Sequence, residues 1–415
     1  MIKEKFFVQE FENGLTLLAE QLDYVVSAAV VLAVPAGCSR DGDKLAGAST
    51  VMTEWLFRGA GGRNSRQLND ALDSLGCHRE EGVRSLFVHF QASQTHQSLD
   101  PVLAIYGDIL ARPELADKTF DPCRNLVAQE LAGLEDDPSR KCNLCLRERF
   151  YPRPLGASVL GSEESLKAMT SQVLRAHAKT HLTPRGSMLA VAGRFEWPAL
   201  RDHVAEVFGG WRGGPLDELT LAAAQRGVCQ ESKATSQVQI CLAYDAPRPQ
   251  EEKLYYPMRV AEMALSGGMS GRLFSEVREK RGLVYSVGAR YHGMKAAAGM
   301  FVYAGTTPEK AQQTLDVTVG ELKRLGEGID EDELVRAKTQ LKSALIMQGE
   351  STAARANGLV GDWHLLGRLR GLEEVSSAID AVTRQDVLEC LAAYPARNIT
   401  GCFLGPQALD TAALE

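Results

Sequence analysis

Histidine is scarce in this chain, eight among 415 residues, and none precedes His78. A metal centre built on imidazoles is thereby excluded from everything before that point. Long apolar runs are also missing. The longest, around Val25–Val34, falls far short of the ~20 residues that a membrane helix needs. The opening MIKEKFFVQEFENG carries charges every few residues without an apolar core, so it does not read as a secretory signal, and neither end carries a lipidation motif. Basic excess is absent too. With 46 Lys and Arg against 53 Asp and Glu the net charge is -7, and the cations are scattered, which argues against nucleic acid as a partner. Nine cysteines, an odd number, are spread along the whole sequence. They read as reduced, mostly buried thiols and not as a disulfide framework. The expectation is a cytoplasmic chain, without a membrane or a nucleic acid.

What is present is an ordinary globular composition, 45% hydrophobic and 24% charged, in a chain long enough for two or three cores. It reads twice. Residues 27–61 (SAAVVLAVPAGCSRDGDKLAGASTVMTEWLFRGAG) and 236–271 (SQVQICLAYDAPRPQEEKLYYPMRVAEMALSGGMSG) each give an apolar β-branched strand, a polar Pro- or Gly-containing connector and a helix ending at glycines. Downstream, 85–110 and 299–325 both give an alternating strand, a polar turn and an amphipathic helix, at an offset that stays near ~210 residues. The reading is α+β, with two homologous domains, each an antiparallel β-sheet with helices packed mainly on one face. Boundaries are set at 1–212, an interdomain linker at 213–233 rich in Gly, Pro and Ala, and 234–415.

Several constellations invite chemistry and fail on spacing. His177 and His181 in HAKTH are four apart, but Ala178 stands where a zincin glutamate would be, so metal is not assigned there. Cys142 and Cys145 form a CxxC with no second pair, which leaves zinc-ribbon chemistry unsupported and small buried thiols the better reading. Gly267, Gly268 and Gly271 lack the ending of a phosphate loop and read as helix termination. The charged run His78, Arg79, Glu80, Glu81 reads as a solvated turn.

Three stretches carry a resemblance: LAGASTVMTEWLFRGAGGR (45–63), QELAGLEDDPSRKCNLCLRERFYPRPLG (129–156) and SGRLFSEVREKRGLVYSVGARY (270–291). In order and spacing they resemble the landmarks of the insulinase, pitrilysin and mitochondrial-processing-peptidase family, over essentially the whole chain. That family's active members bind zinc through His-x-x-Glu-His on the helix before an L-F-x-G sequence, with a glutamate from a later helix as third ligand. Anchored on Leu56-Phe57-Arg58-Gly59, the resemblance puts Thr50, Thr53 and Glu54 at the His, Glu and His positions and Glu130 at the third ligand. A single surviving carboxylate cannot hold zinc, so no metal or other cofactor is assigned to this chain.

Arg278 and Tyr285 match the family's Arg/Tyr pair. By resemblance, Tyr285 would donate to the oxyanion of a tetrahedral intermediate and Arg278 would orient the substrate carbonyl. In the family's two-chain bacterial members one subunit carries the zinc motif and the other the Arg/Tyr pair. The resemblance therefore implies a non-catalytic subunit, whose partners are a homologous zinc-bearing subunit and peptide substrates. The rival expectation is a structural or interaction protein that keeps the fold without proteolysis, and a third is a peptidase active alone through Glu54, Glu130 and a distant histidine.

Overall fold

Four stretches, SAAVVLAV, MLAVAG, VQICLAYD and TGCFLG, are apolar without alternation, the pattern of strands covered on both faces. In the computed structural model, which describes residues 4–415, they are the inner strands of two sheets. The first half of the chain lays down β1 (Lys5–Glu10), β2 (Thr16–Gln21), β3 (Ser27–Val34), α1 (Ala48–Leu56), β4 (Gly59–Ala60), β5 (Arg63–Asn64), α2 (Ser65–Ser74), β6 (His78–Val83) and β7 (Val88–Thr95). There follow α3 (Leu99–Ala111), α4 (Asp117–Gly133), α5 (Pro138–Phe150), α6 (Glu163–Ala168), α7 (Ser171–His181), β8 (Met188–Gly193) and α8 (Trp197–Phe208). The second half gives β9 (Val228–Ser232), β10 (Val238–Asp245), α9 (Glu252–Ser266), β11 (Val284–Gly293), β12 (Ala298–Thr306) and α10 (Ala311–Leu325). It closes with α11 (Glu331–Gly349), α12 (Thr352–Leu366), α13 (Leu372–Ala381), α14 (Arg384–Ala393) and β13 (Thr400–Gly405).

The first sheet has the order β1-β2-β8-β3-β7-β6, the second β11-β12-β10-β13-β9. Read from β6, the first gives the same succession as the second, hairpin, central strand, last strand and an early strand (β2 or β9), with β1 added at the edge of the first. The duplication inferred from the sequence is thus a duplication of topology. Each sheet is antiparallel except at one pair, β2 with β8 and β9 with β13. That parallel pair was not legible in the sequence. It arises because the closing strand of each half, β8 or β13, returns beside an early strand of that half, β2 or β9.

Two compact units result, and they are discontinuous. The first takes the residues up to Gly133, Arg153–Ala222 and Gln348–Trp363; the second takes Leu134–Pro152, Ala223–Met347 and His364–Glu415. The expected segments 1–212 and 234–415 thus each give up a helix, and the expected linker 213–233 contains strand β9. The physical reason is the second face of each sheet. In the second unit Val238, Ile240, Leu242 and Tyr244 of β10 face a core built with α9, α10 and α14. Their neighbours point the other way, as successive strand residues must, and would be bare without α5. That helix lays Cys142, Leu146 and Phe150 there, with the Phe150 ring 5.1 Å from Phe301 of β12.

In the first unit, α12 does the corresponding work. Asn357 Nδ2 donates to Gln91 Oε1 of β7 at 2.6 Å, and the Arg355 guanidinium pairs with Glu20 of β2. Burial pushes the Glu20 carboxyl up, and Arg355 opposes that shift. Both side chains are nearly shielded from water. Arg355→Ala therefore leaves a buried carboxylate uncompensated and should cost the first unit about 3–5 kcal/mol, read as a lowered urea midpoint. An unchanged midpoint would mean that the pair adds nothing to the seating of α12.

Candidate functional site

Helix α1 begins where Asp41 collects its donors. The buried carboxylate accepts from Gly47 N at 3.2 Å, from Ser49 N at 3.1 Å and from Ser49 Oγ at 2.5 Å. It meets the orphan N–H groups of the first turn and matches the positive end of the helix dipole. His177 Nε2 lies 3.4 Å from the same carboxylate, in ion-pair range but too far for a good hydrogen bond. The His181 ring lies tilted beside it, with 4.4 Å between ring centres. The HAKTH pair thus packs against the carboxylate that starts α1.

On α1 the hydroxyls at the zinc-motif positions are spent on carbonyls. Thr50 Oγ1 donates to Val159 O at 2.5 Å and Thr53 Oγ1 to Ser49 O at 2.8 Å. Glu54 is exposed and faces Arg58 at 3.5 Å, one helical turn on. Glu130 is an exposed residue of α4. Trp55 joins the two helices through Nε1 to Thr119 Oγ1 at 2.9 Å. Among the described residues no group of three or more His, Cys, Asp or Glu is placed to hold a metal ion. Donor hydroxyls and an ion-paired glutamate do not fit zinc.

The run from His78 to Glu81, expected as a solvated turn, lies instead in the edge strand β6, and Arg79 there bridges Glu81 at 2.8 Å and Asn69 at 2.9 Å. Its guanidinium also lies 4.9 Å from the Phe57 ring centre. The period-2 exposure of that strand makes charge compatible with pairing, which a run of charged residues had concealed.

The second unit brings Arg278 and Tyr285 together. Helix α9 stops at Gly267, where a Cβ would collide with Met263 O at 2.4 Å, and Gly268 turns the chain with φ +90. Arg272 then anchors the next segment, its Nε and a terminal nitrogen each 2.6 Å from a Glu333 oxygen. Phe274–Glu279 follows as a π-helical turn in which Lys280 N–H reaches Ser275 O, five residues back.

The wide turn sets the Arg278 guanidinium between two rings, 4.9 Å from the Phe274 centre and 5.2 Å from that of Tyr285. Glu276 belongs to other cations. It accepts from Lys280 at 2.6 Å and Arg281 at 2.7 Å, and these bonds hold its carboxyl down at about 2. Among the described residues no carboxylate pairs with Arg278. Tyr285 sits on a β-bulge, for Val284 faces Thr306 and Ser286 faces Gly305, so the residue between them is skipped by the ladder. The bulge turns Tyr285 outward to 82% exposure. Phe274, four residues before Arg278, was missed in the sequence, although i, i+4 spacing on a helical turn was the available signal.

Two family models match this chain in succession. Residues 16–163 match insulinase (peptidase family M16), and residues 168–341 match the peptidase M16 inactive domain. The chain belongs to the M16 peptidase family. The first M16 match takes in Thr50, Thr53, Glu54 and Glu130, the second Arg278 and Tyr285. Among relatives, an uncharacterized zinc protease of Rickettsia felis is 26% identical, over 98% of this chain and 99% of its own. One from Streptomyces coelicolor is 28% identical, over 95% of this M16 chain and 89% of its own. Two solved structures share the fold. A peptidase M16 inactive domain from Pseudomonas fluorescens has a TM-score of 0.89 at 20% identity, over 99% of this chain and 100% of its own. A Helicobacter pylori protease has a TM-score of 0.87 at 17% identity, over 97% and 100%. No described helix is long and apolar enough to cross a membrane.

Two measurements test this account of the M16 chain's first unit. Elemental analysis of the dialysed chain should find less than about a tenth of an equivalent of zinc, and about one equivalent would contradict the misfit. His181 is pushed down from 6.5 to about 4, first by burial and then by His177 and Arg40. Between those values the unfolded chain takes up a proton that the folded chain refuses, so stability falls as pH drops through the window. His181→Gln should remove that share of the fall in urea midpoints taken across it. A variant whose pH dependence equals that of the parent would assign the fall to other groups.

Proposed function

We propose that this chain is the non-catalytic subunit of a heteromeric zinc metalloendopeptidase, which lends Arg278 and Tyr285 in trans to peptide hydrolysis. The observation that carries the reading is the Arg278 cation, which pairs with no carboxylate among the described residues, held against an outward-turned Tyr285 in a chain whose zinc-motif hydroxyls are already bonded to backbone carbonyls. A partner with His-x-x-Glu-His would bring the zinc that activates water. This chain's own groups bind and orient. The Arg278 guanidinium draws the scissile carbonyl oxygen of a peptide, and the Tyr285 hydroxyl donates to that oxygen as it gains negative charge. Such a donor is worth about 2.7–4 kcal/mol only where water is excluded. At 82% exposure Tyr285 is open to solvent in this chain by itself, which favours an enclosure completed by a second subunit.

The relatives named above as zinc proteases agree in reaction class. On this reading the chain alone is inert and gains activity with a zinc-bearing partner. Tyr285→Phe, which keeps the ring beneath Arg278, should lower turnover of the assembled enzyme by roughly 10²–10³-fold while partner affinity stays unchanged. Parental turnover in that variant complex would remove the catalytic role and leave the interaction-protein reading in its place.

A further inference from the structure

Five of the nine cysteines meet on one side of the second sheet. Strand register sets three of them in a row, since Cys402 of β13 faces Cys241 of β10 on one side and Cys229 of β9 on the other. Helix α5 brings Cys142 and Cys145 down onto that row. Cys145 Sγ lies 3.2 Å from Cys402 Sγ, and Cys142 Sγ donates to Cys402 O at 3.1 Å. The lone CxxC of the sequence is thus one side of a thiol cluster, assembled from helix and strands far apart in the chain. Among the described residues no three of these sulfurs are placed as metal ligands.

The five are not equivalent. Cys142, Cys241 and Cys402 are buried, whereas Cys145 and Cys229 are partly open to solvent. The Cys145 thiol is lowered, first by its hydrogen bond with Cys402, then by one with Cys229 and by the charge of Arg149. Cys402 and Cys142 are raised, the first by its bond to Cys145 and the second by its bond to Cys241, burial adding to both. One accessible, thiolate-prone sulfur therefore stands beside a protonated, buried one, the arrangement of an attacking and a resolving cysteine.

We propose that Cys145 and Cys402 are a peroxide-responsive pair, oxidised in place to a disulfide that fastens helix α5 to strand β13. In the first step Cys145 Sγ⁻ attacks one oxygen of hydrogen peroxide. The O–O bond breaks, the departing hydroxide takes a proton and leaves as water, and Cys145 becomes a sulfenic acid. In the second, Cys402 Sγ attacks that sulfur. The S–S bond forms as the S–O bond breaks, and the hydroxide leaves as water with the Cys402 proton. Two electrons pass from the sulfur pair to the peroxide. A thiol reductant reverses the bond. The inference depends only on the packing of the second unit and is independent of any peptidase role.

The test uses the full chain, treated with hydrogen peroxide or buffer, alkylated and mapped by mass spectrometry. The expected product is a Cys145–Cys402 cross-linked peptide, two hydrogens lighter than its parts, lost on adding dithiothreitol. Cys145→Ser should abolish it and Cys229→Ser should leave it. In the untreated chain, iodoacetamide should label Cys145 at least about tenfold faster than Cys142. Cys402→Ser should trap a sulfenic acid at Cys145 that a dimedone probe captures. A dominant Cys145–Cys229 link would overturn the assignment of the resolving thiol. Full alkylation of Cys145 after peroxide, or equal labelling of Cys145 and Cys142, would overturn the pair itself.

Discussion

Strands that are apolar on both faces must be covered on both, and in this chain that requirement is met by exchange. Strands β3, β8, β10 and β13 are buried almost end to end, so neither sheet can leave a face to water. Each unit covers one face with helices of its own half and the other with a single helix from the opposite half, α5 for the second and α12 for the first. The polar contacts of those helices follow from this duty. Arg355 meets Glu20 because a carboxylate on the covered face of β2 would otherwise lack a counter-charge, and the cysteines of α5 meet those of β10 and β13 because small side chains let helix and sheet approach.

The two candidate regions differ in what holds them. The start of α1 is fixed by a buried polar network around Asp41, with every hydroxyl on the helix's motif positions bonded to the backbone. Arg278 and Tyr285 are held by looser means, a π-helical turn and a bulge, and among the described residues no carboxylate pairs with the cation. Irregular backbone of this kind carries a cost in regular hydrogen bonding, and it is tolerated where a side chain must be aimed.

Much of this was legible in the sequence. The duplication, the α+β class and the place of Arg278 and Tyr285 followed from periodicity and from the resemblance carried by 270–291. The exchange of α5 and α12 did not, because amphipathic spacing tells that a helix has a face to bury and not which sheet it will bury it on. Unbroken apolar runs such as VQICLAYD did hold the information that a second cover was needed. The parallel pairs were hidden for a related reason, since strand order is settled by contacts across some 170 residues. Phe274 beneath Arg278 escaped notice as an ordinary member of RLF. The thiol cluster escaped because a row of residues across strands has no signature along the chain.

The exchanged helices also bear on how the polypeptide matures as it is made. When the first half has left the ribosome, the six strands of its larger sheet can pair, but the outer surface of β2 and β7 stays uncovered until α12 is synthesised more than 250 residues after β7. During that interval α5 is already formed and waits with Cys142, Leu146 and Phe150 for strands not yet translated. Vectorial synthesis therefore leaves a nascent intermediate with sticky surface at two places. Completion of both units comes late and together, so a chain cut short between β12 and α12 is a substrate for chaperones and proteases and not a half-size version of the protein.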